Sequence, residues 1–220
     1  SFDEPRFKTP FHVEMTTPAK LVAIANSAVV EEVPVEAGKV RHVFADTKPL
    51  PTYLLAFAVG PLDVVTGLIP ANAVRSTPLP FRGVAAKGKG DRLRYAVTHT
   101  PAIVAALETY FGQAYPFDKL DIVAVPDFAA GAMENPGAVM FREWLLLVDE
   151  KVAPESQLRA FWGVMAHELA HIWFGDLVTM PWWDDIWLNE AFATWMSYKI
   201  VGVVRPESHP ELGLRERVLG

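Results

Sequence analysis

The 220-residue chain has no cysteine. Disulfides and cysteine-ligated zinc are therefore excluded. The absence fits a cytoplasmic protein as well as one of the bacterial cell envelope or an exported one, so it leaves the compartment open. An excess of basic residues is also lacking. The formal net charge is −6 and the pI about 5.5. No basic patch marks a nucleic-acid footprint, so nucleic acid is not expected as a partner. Long apolar runs are missing too. YLLAFAVGPLDVV (53–65) and LVAIANSAVV (21–30) are interrupted and too short to span a bilayer. A chain that does not begin with Met is expected to be processed or a piece of something longer.

What is present is a globular composition. Hydrophobic residues make up 51% and charged residues 21%, which suits one large or two small packed domains rather than a disordered chain. Residues 1–92 read as β-rich. VEMT, KLVAIAN, AVVEEVPV, RHVFAD, TYLLAFAVG and DVVTGLI are short β-branched or aromatic runs separated by Pro, Gly and Asn. The stretch 70–92, rich in Pro, Gly and Lys, reads as an irregular join. From 93 to 220 the texture changes. AIVAALETYFG (102–112) has helical spacing and stops at Gly112. KLDIVAVPDF (119–128) reads as a strand buried on both faces, and AVMFRE and WLLLVD read as further strands. The expected class is α+β.

In SQLRAFWGVMAHELAHIWFG, the residues Leu158, Phe161, Trp162, Met165, Leu169 and Ile172 form an apolar helical stripe. Pro154 and Glu155 suit its start and Gly175 its end. His167, Glu168 and His171 lie off that stripe. Positions i and i+4 share a helix face, so both imidazoles can reach one ion. Zinc sites of this kind take three protein ligands and leave a position for water. Glu168, one residue after the first histidine, can lean toward that water as a base. The competing reading is an amphipathic helix with two histidines at its surface. The third ligand decides between them. Glu190 follows His171 after eighteen residues, at the start of a second helix spanning 188–202. Trp182, Trp183, Ile186, Trp187, Leu188, Ala191 and Phe192 surround it in sequence. A carboxylate buried there needs a partner. Asn189, Asp184 and Asp185 read as solvated or capping residues, with ligand orientation as the alternative. His12, His42, His99 and His209 have no partners at metal spacing. DFAAGAMENPG (127–137) sits between two strand candidates. Its glycines and alanines let an extended peptide approach closely, and Glu134 is placed to meet a free α-ammonium group.

Taken together, these stretches resemble the zinc aminopeptidases of the aminopeptidase N and leukotriene A hydrolase type, the gluzincin exopeptidases. The likeness rests on GAMEN (131–135), HELAH (167–171), WFGDLVTMPWWDDIWLNEAFATW (173–195) and the spacing to Glu190. It extends back through YPFDKLDIVAVPDF (115–128) and TYLLAFAVG (52–60) to FDEP (2–5). The resemblance implies a β-rich amino-terminal domain followed by a thermolysin-like catalytic domain, and one zinc ion held by His167, His171 and Glu190. It assigns Glu168 as general base and Glu134 as the group that binds the substrate's amino terminus. Gly131, Ala132, Met133 and Asn135 complete the substrate-binding stretch. The implied partners are peptides with a free amino terminus. Ile172 stands where many members have Gln, and Pro136 where many have Trp. By the same comparison the chain looks like a fragment. The first half of the amino-terminal domain and the tyrosine that stabilises the tetrahedral intermediate would lie outside it. Tyr198, two turns beyond Glu190, is no substitute. The alternatives are a thermolysin-type endopeptidase, a zinc-binding piece with impaired catalysis, and a chain with no metal.

Overall fold

A computed structural model describes residues 3–210. Phe2 of the FDEP stretch and residues 211–220 of the expected second domain lie outside the described residues.

The amino-terminal runs form the strands β1 (Glu14–Pro18), β2 (Val22–Ala25), β3 (Val29–Val35), β4 (Lys39–Phe44) and β5 (Phe57–Gly60). They make two small antiparallel sheets, β1-β4-β3 and β2-β5. Next come β6 (Leu62–Ile69) and β7 (Leu79–Ala86), the helix α1 (Arg94–Phe111), and β8 (Leu120–Val125), β9 (Ala132–Met133) and β10 (Ala138–Arg142). The short helix α2 (Glu143–Leu146) precedes the long helices α3 (Glu155–His171) and α4 (Ile186–Val204). The second sheet system has five strands in the order β6-β7-β8-β10-β9, and β9 is an edge. The architecture is α+β. Among the described residues no helix is long and apolar enough to cross a membrane.

The alternation of β8 explains the layering. Leu120, Ile122 and Ala124 pack with α1, α3 and α4 in the main core. Val123 points the other way, against Ile24 and Ala56 of the amino-terminal part. The five-stranded sheet is thus covered on both faces, as the unbroken apolar run of β8 requires. Asp121 also faces away from the helices. It is paired with Arg82 at 2.6 Å and with Lys119 at 2.8 Å.

Three expectations need correction. Residues 70–92 are not an irregular join, because β7 lies inside them and pairs with both β6 and β8. The sheet therefore runs across the division expected at residue 92. Even the turn at 70–77 is fixed from within. Arg75 Nε donates to Glu108 Oε1 of α1 at 2.7 Å, Asn72 Nδ2 donates to Glu108 Oε2 at 2.6 Å, and the Arg75 guanidinium also donates to the Pro70 and Thr77 carbonyls. Second, WLL of WLLLVD turns into α2 instead of a strand. Its residues pack beneath α3, where Gln157 Nε2 donates to the Trp144 carbonyl at 2.7 Å. Third, the helix read as starting at residue 102 begins at Arg94. Pro101 sits in its interior, so the missing N–H hid the first two turns from a reading that treats Pro as a boundary.

Candidate metal centre and substrate edge

Pro154 caps α3 and Glu155 supplies an acid in its first turn, where the helix dipole favours one. The helix is buried on more sides than its apolar stripe requires. Glu168 is 5% exposed and His171 1%. Neither belongs to a solvent face, which removes the surface-histidine reading for His171. The helix ends at His171, and the chain turns back at once: Asp176 N donates to the His171 carbonyl at 2.9 Å. Gly175 makes this turn with φ 142°. A Cβ there would lie 3.1 Å from His171 Nδ1 and 3.3 Å from Asn189 Nδ2. The position therefore requires glycine both for its backbone and for the space beside the imidazole.

The amino-terminal segment straps the loop between the two helices. Lys8 Nζ donates to the Asp176 and Leu177 carbonyls at 2.8 and 3.1 Å. Trp183 N donates to Glu4 Oε2 at 3.1 Å, and its indole N–H donates to the Asp3 carbonyl at 2.9 Å. α4 then returns Glu190 to the end of α3. The buried face of α4 is Asn189, Ala193, Met196, Ser197, Ile200 and Val201. Glu190 is one step off that face, and its side chain is 53% exposed. Trp182, Trp187, Leu188 and Trp195 are exposed as well. The expectation that Glu190 is buried among aromatics is therefore corrected. Proximity to the imidazoles, rather than burial, marks its role. Asn189, read as solvated or capping, is instead buried and donates to Met180 Sδ at 3.0 Å.

His167 Nε2 and His171 Nε2 are 3.1 Å apart. Glu190 Oε2 lies 3.3 Å from the first and 3.8 Å from the second. Zinc–ligand bonds of 2.0–2.1 Å at tetrahedral angles give ligand–ligand edges of about 3.3–3.4 Å. The triangle of donors matches that size, and two imidazole nitrogens with one carboxylate oxygen suit zinc. Among the described residues these three form the group able to hold a metal ion. Their protonation fits as well. Burial and the neighbouring His167 push His171 down to about 4, while the hydrogen bond from His167 holds Glu190 below the usual carboxylate range. Metal binding needs a neutral imidazole and an ionised carboxylate. Thr194 Oγ1, one turn beyond Glu190, lies 3.5 Å from His167 Nδ1. Sequence reasoning passed over it, although its i+4 spacing from Glu190 was a usable signal.

Glu168 points into an interior shared with other acids. Burial, then the charges of Glu134 and Glu190, raise its pKa well above the carboxylate norm. Glu134 is likewise raised, by burial first and then by Glu190. It is 6% exposed, and none of the ion pairs among the described residues involves it. GAMEN forms the outer edge of the sheet. Ala132 and Met133 pair antiparallel with Phe141 and Met140, leaving the other side of β9 unpaired. Gly131 is exposed, Ala132 and Met133 are half-buried, and Glu134 and Asn135 are buried. Arg142 pins the preceding loop by donating to the Phe128 and Ala130 carbonyls at 3.0 and 3.1 Å.

The sequence matches known families over the same elements. Residues 95–219 match the peptidase family M1 domain, and residues 1–54 match the peptidase M1 N-terminal domain. The chain belongs to peptidase family M1. Similar members include aminopeptidase M1-B of Oryza sativa subsp. japonica, at 41% identity over 94% of this chain and 23% of the relative. Puromycin-sensitive aminopeptidase of Caenorhabditis elegans is 40% identical over 94% of this chain and 21% of its own. Endoplasmic reticulum aminopeptidase 2 of Bos taurus is 39% identical over 94% and 21%. The chain thus spans less than a quarter of the M1 relatives it matches.

Within this M1 chain, Gly175→Ala should displace His171. The added methyl meets Nδ1 and Asn189 while the backbone is strained. Zinc affinity, measured by chelator competition, is expected to fall about 10–100-fold with the fold retained. Unchanged affinity would show that the turn does not set the imidazole.

Proposed function

We propose that the chain carries the zinc site and substrate anchor of an aminopeptidase, which hydrolyses the first peptide bond of peptides with a free amino terminus. Glu134 carries this reading. It is a buried carboxylate that forms no ion pair among the described residues, at the end of an unpaired strand edge and within the electrostatic reach of Glu190 and His167. A buried charge without a partner is costly, and an incoming α-ammonium would supply one.

His167, His171 and Glu190 would hold zinc, which when bound supplies Lewis-acid polarisation of the carbonyl and a more acidic water. Glu168 accepts the proton of the attacking water at its carboxylate. Water oxygen bonds to the scissile carbonyl carbon, the C–N bond breaks, and Glu168 passes the proton to the leaving amine. Its raised affinity for protons suits both transfers. The open side of β9 takes the substrate backbone by strand addition. Glu134 fixes the amino terminus, which sets the reacting bond at the first residue and converts binding into orientation.

The test compares aminoacyl anilides with their N-acetylated forms, with zinc present. The free amines are expected to react and the acetylated ones not to. Equal rates for both would remove the aminopeptidase reading in favour of a thermolysin-type endopeptidase.

A further inference from the structure

A buried polar clasp joins the β2–β5 sheet to the segment just after Glu134. Asn26 follows β2 directly and is buried. Its Nδ2 donates to the Pro136 carbonyl and to the Leu54 carbonyl, both at 2.9 Å, while its Oδ1 accepts from Ala56 N at 2.8 Å. The Leu54 carbonyl also accepts from Asn135 Nδ2 at 3.2 Å. The two residues that follow the anchor, Asn135 and Pro136, are thus both tied to one point of the amino-terminal part. The approach is close enough to require Gly137. That residue has φ 72°, and a Cβ on it would lie 2.0 Å from the Asn26 carbonyl oxygen. Lys119 completes the clasp from below. Its Nζ donates to the Ala25 carbonyl at 2.8 Å, to the Gly137 carbonyl at 2.6 Å and to Asp121 Oδ2 at 2.8 Å.

Every donor of the Asn26 amide is used, and each ends on a backbone carbonyl of a segment that carries no metal ligand. The clasp spends a buried amide and a buried ammonium on holding a loop whose one acid is Glu134. Buried polar groups of this kind fix a single geometry when fully satisfied. We propose that Asn26 is a positioning residue for Glu134: it sets where the α-ammonium anchor stands relative to the metal ligands. The inference rests on the reading of Glu134 given above. It makes the amino-terminal part a component of substrate recognition rather than an appendage.

The probe is leucinol, which carries the amine but no scissile bond, titrated into the zinc-loaded chain. Acetohydroxamate, a metal-directed ligand without an amine, is titrated in parallel. Asn26→Asp keeps the shape of the side chain but turns its two donated hydrogens into an oxygen facing two carbonyls. The leucinol Kd is expected to rise about tenfold, the loss of roughly one charge-assisted hydrogen bond. Acetohydroxamate affinity and zinc content are expected to hold. Asn26→Ala, which removes the donors without adding repulsion, serves in its place if the Asp variant does not fold. Unchanged leucinol affinity in a folded variant overturns the proposal. So does an equal loss for both ligands, which would mean general damage to the site. If the unsubstituted chain binds N-acetylleucinol as well as leucinol, the reading of Glu134 itself fails, and this inference with it.

Discussion

The Glu168→Gln substitution is expected to lower hydrolysis of an aminoacyl anilide by about 10²–10⁴-fold while bound zinc stays in place. Gln keeps the size and shape of the side chain but cannot take a proton from water. The folded protein has no reason to object. Glu168 is buried, and its pKa is raised first by that burial and then by Glu134 and Glu190. Its charged form is therefore the unfavourable one in this interior. A neutral amide removes that unfavourable charge, so thermal stability should hold or rise as activity falls. That opposite movement separates a catalytic base from a structural acid. The measurement is initial rate and metal content on matched samples. Equal, near-zero rates in both proteins with zinc retained would support the zinc-binding, catalytically impaired alternative. Equal and substantial rates would sink the role of Glu168.

Glu108→Ala should cost about 3–5 kcal/mol of stability, read as a lower denaturant midpoint. Glu108 is fully buried in α1 and binds three partners from two directions. Arg75 and Asn72 reach it from the turn before β7, and Tyr115 N donates to it at 2.8 Å from the loop after α1. Truncation leaves the Arg75 guanidinium, itself 7% exposed, inside the protein without its counter-charge. That is the mechanism by which breaking a buried pair costs more than the pair contributes. Total stabilities of ordinary domains are about 5–15 kcal/mol, so the loss is a large share. A change of under about 0.5 kcal/mol, the range of ordinary surface substitutions, would show that the turn at 70–77 is held by something else. Zinc affinity of whatever remains folded should be unaffected, because the partners of Glu108 are Arg75, Asn72 and Tyr115 and none of His167, His171 and Glu190.

The sequence was most legible where chemistry depends on local spacing. His167 and His171 are one helical turn apart, so their convergence follows from helix geometry alone. β8 read as a doubly buried strand because nearly every residue from 120 to 125 is apolar. Legibility failed where a long-range contact decides the outcome. Nothing local in 70–92 announces that β7 is an inner strand. Its place is set by pairing with β8, about forty residues on. The burial inferred for Glu190 failed for a related reason. Aromatic neighbours in sequence fall on different sides of a helix, and only the face from Asn189 to Val201 packs inward. Asn26 was invisible as a functional candidate, because an amide that acts through backbone carbonyls leaves no motif. Pro101 misled in the other direction, hiding the start of α1.

The edge strand β9 is two residues long. An extended ligand laid along it gains ladder hydrogen bonds over about 6–7 Å and then runs out of template. Most of a long peptide would therefore go unread, and affinity should plateau after the first few residues whatever their number. Indifference to length is what a general trimming activity needs. The same shortness also protects the protein from itself. A long, flat, unpaired edge invites other chains to add strands and aggregate, whereas this one offers too little backbone to hold a stray neighbour.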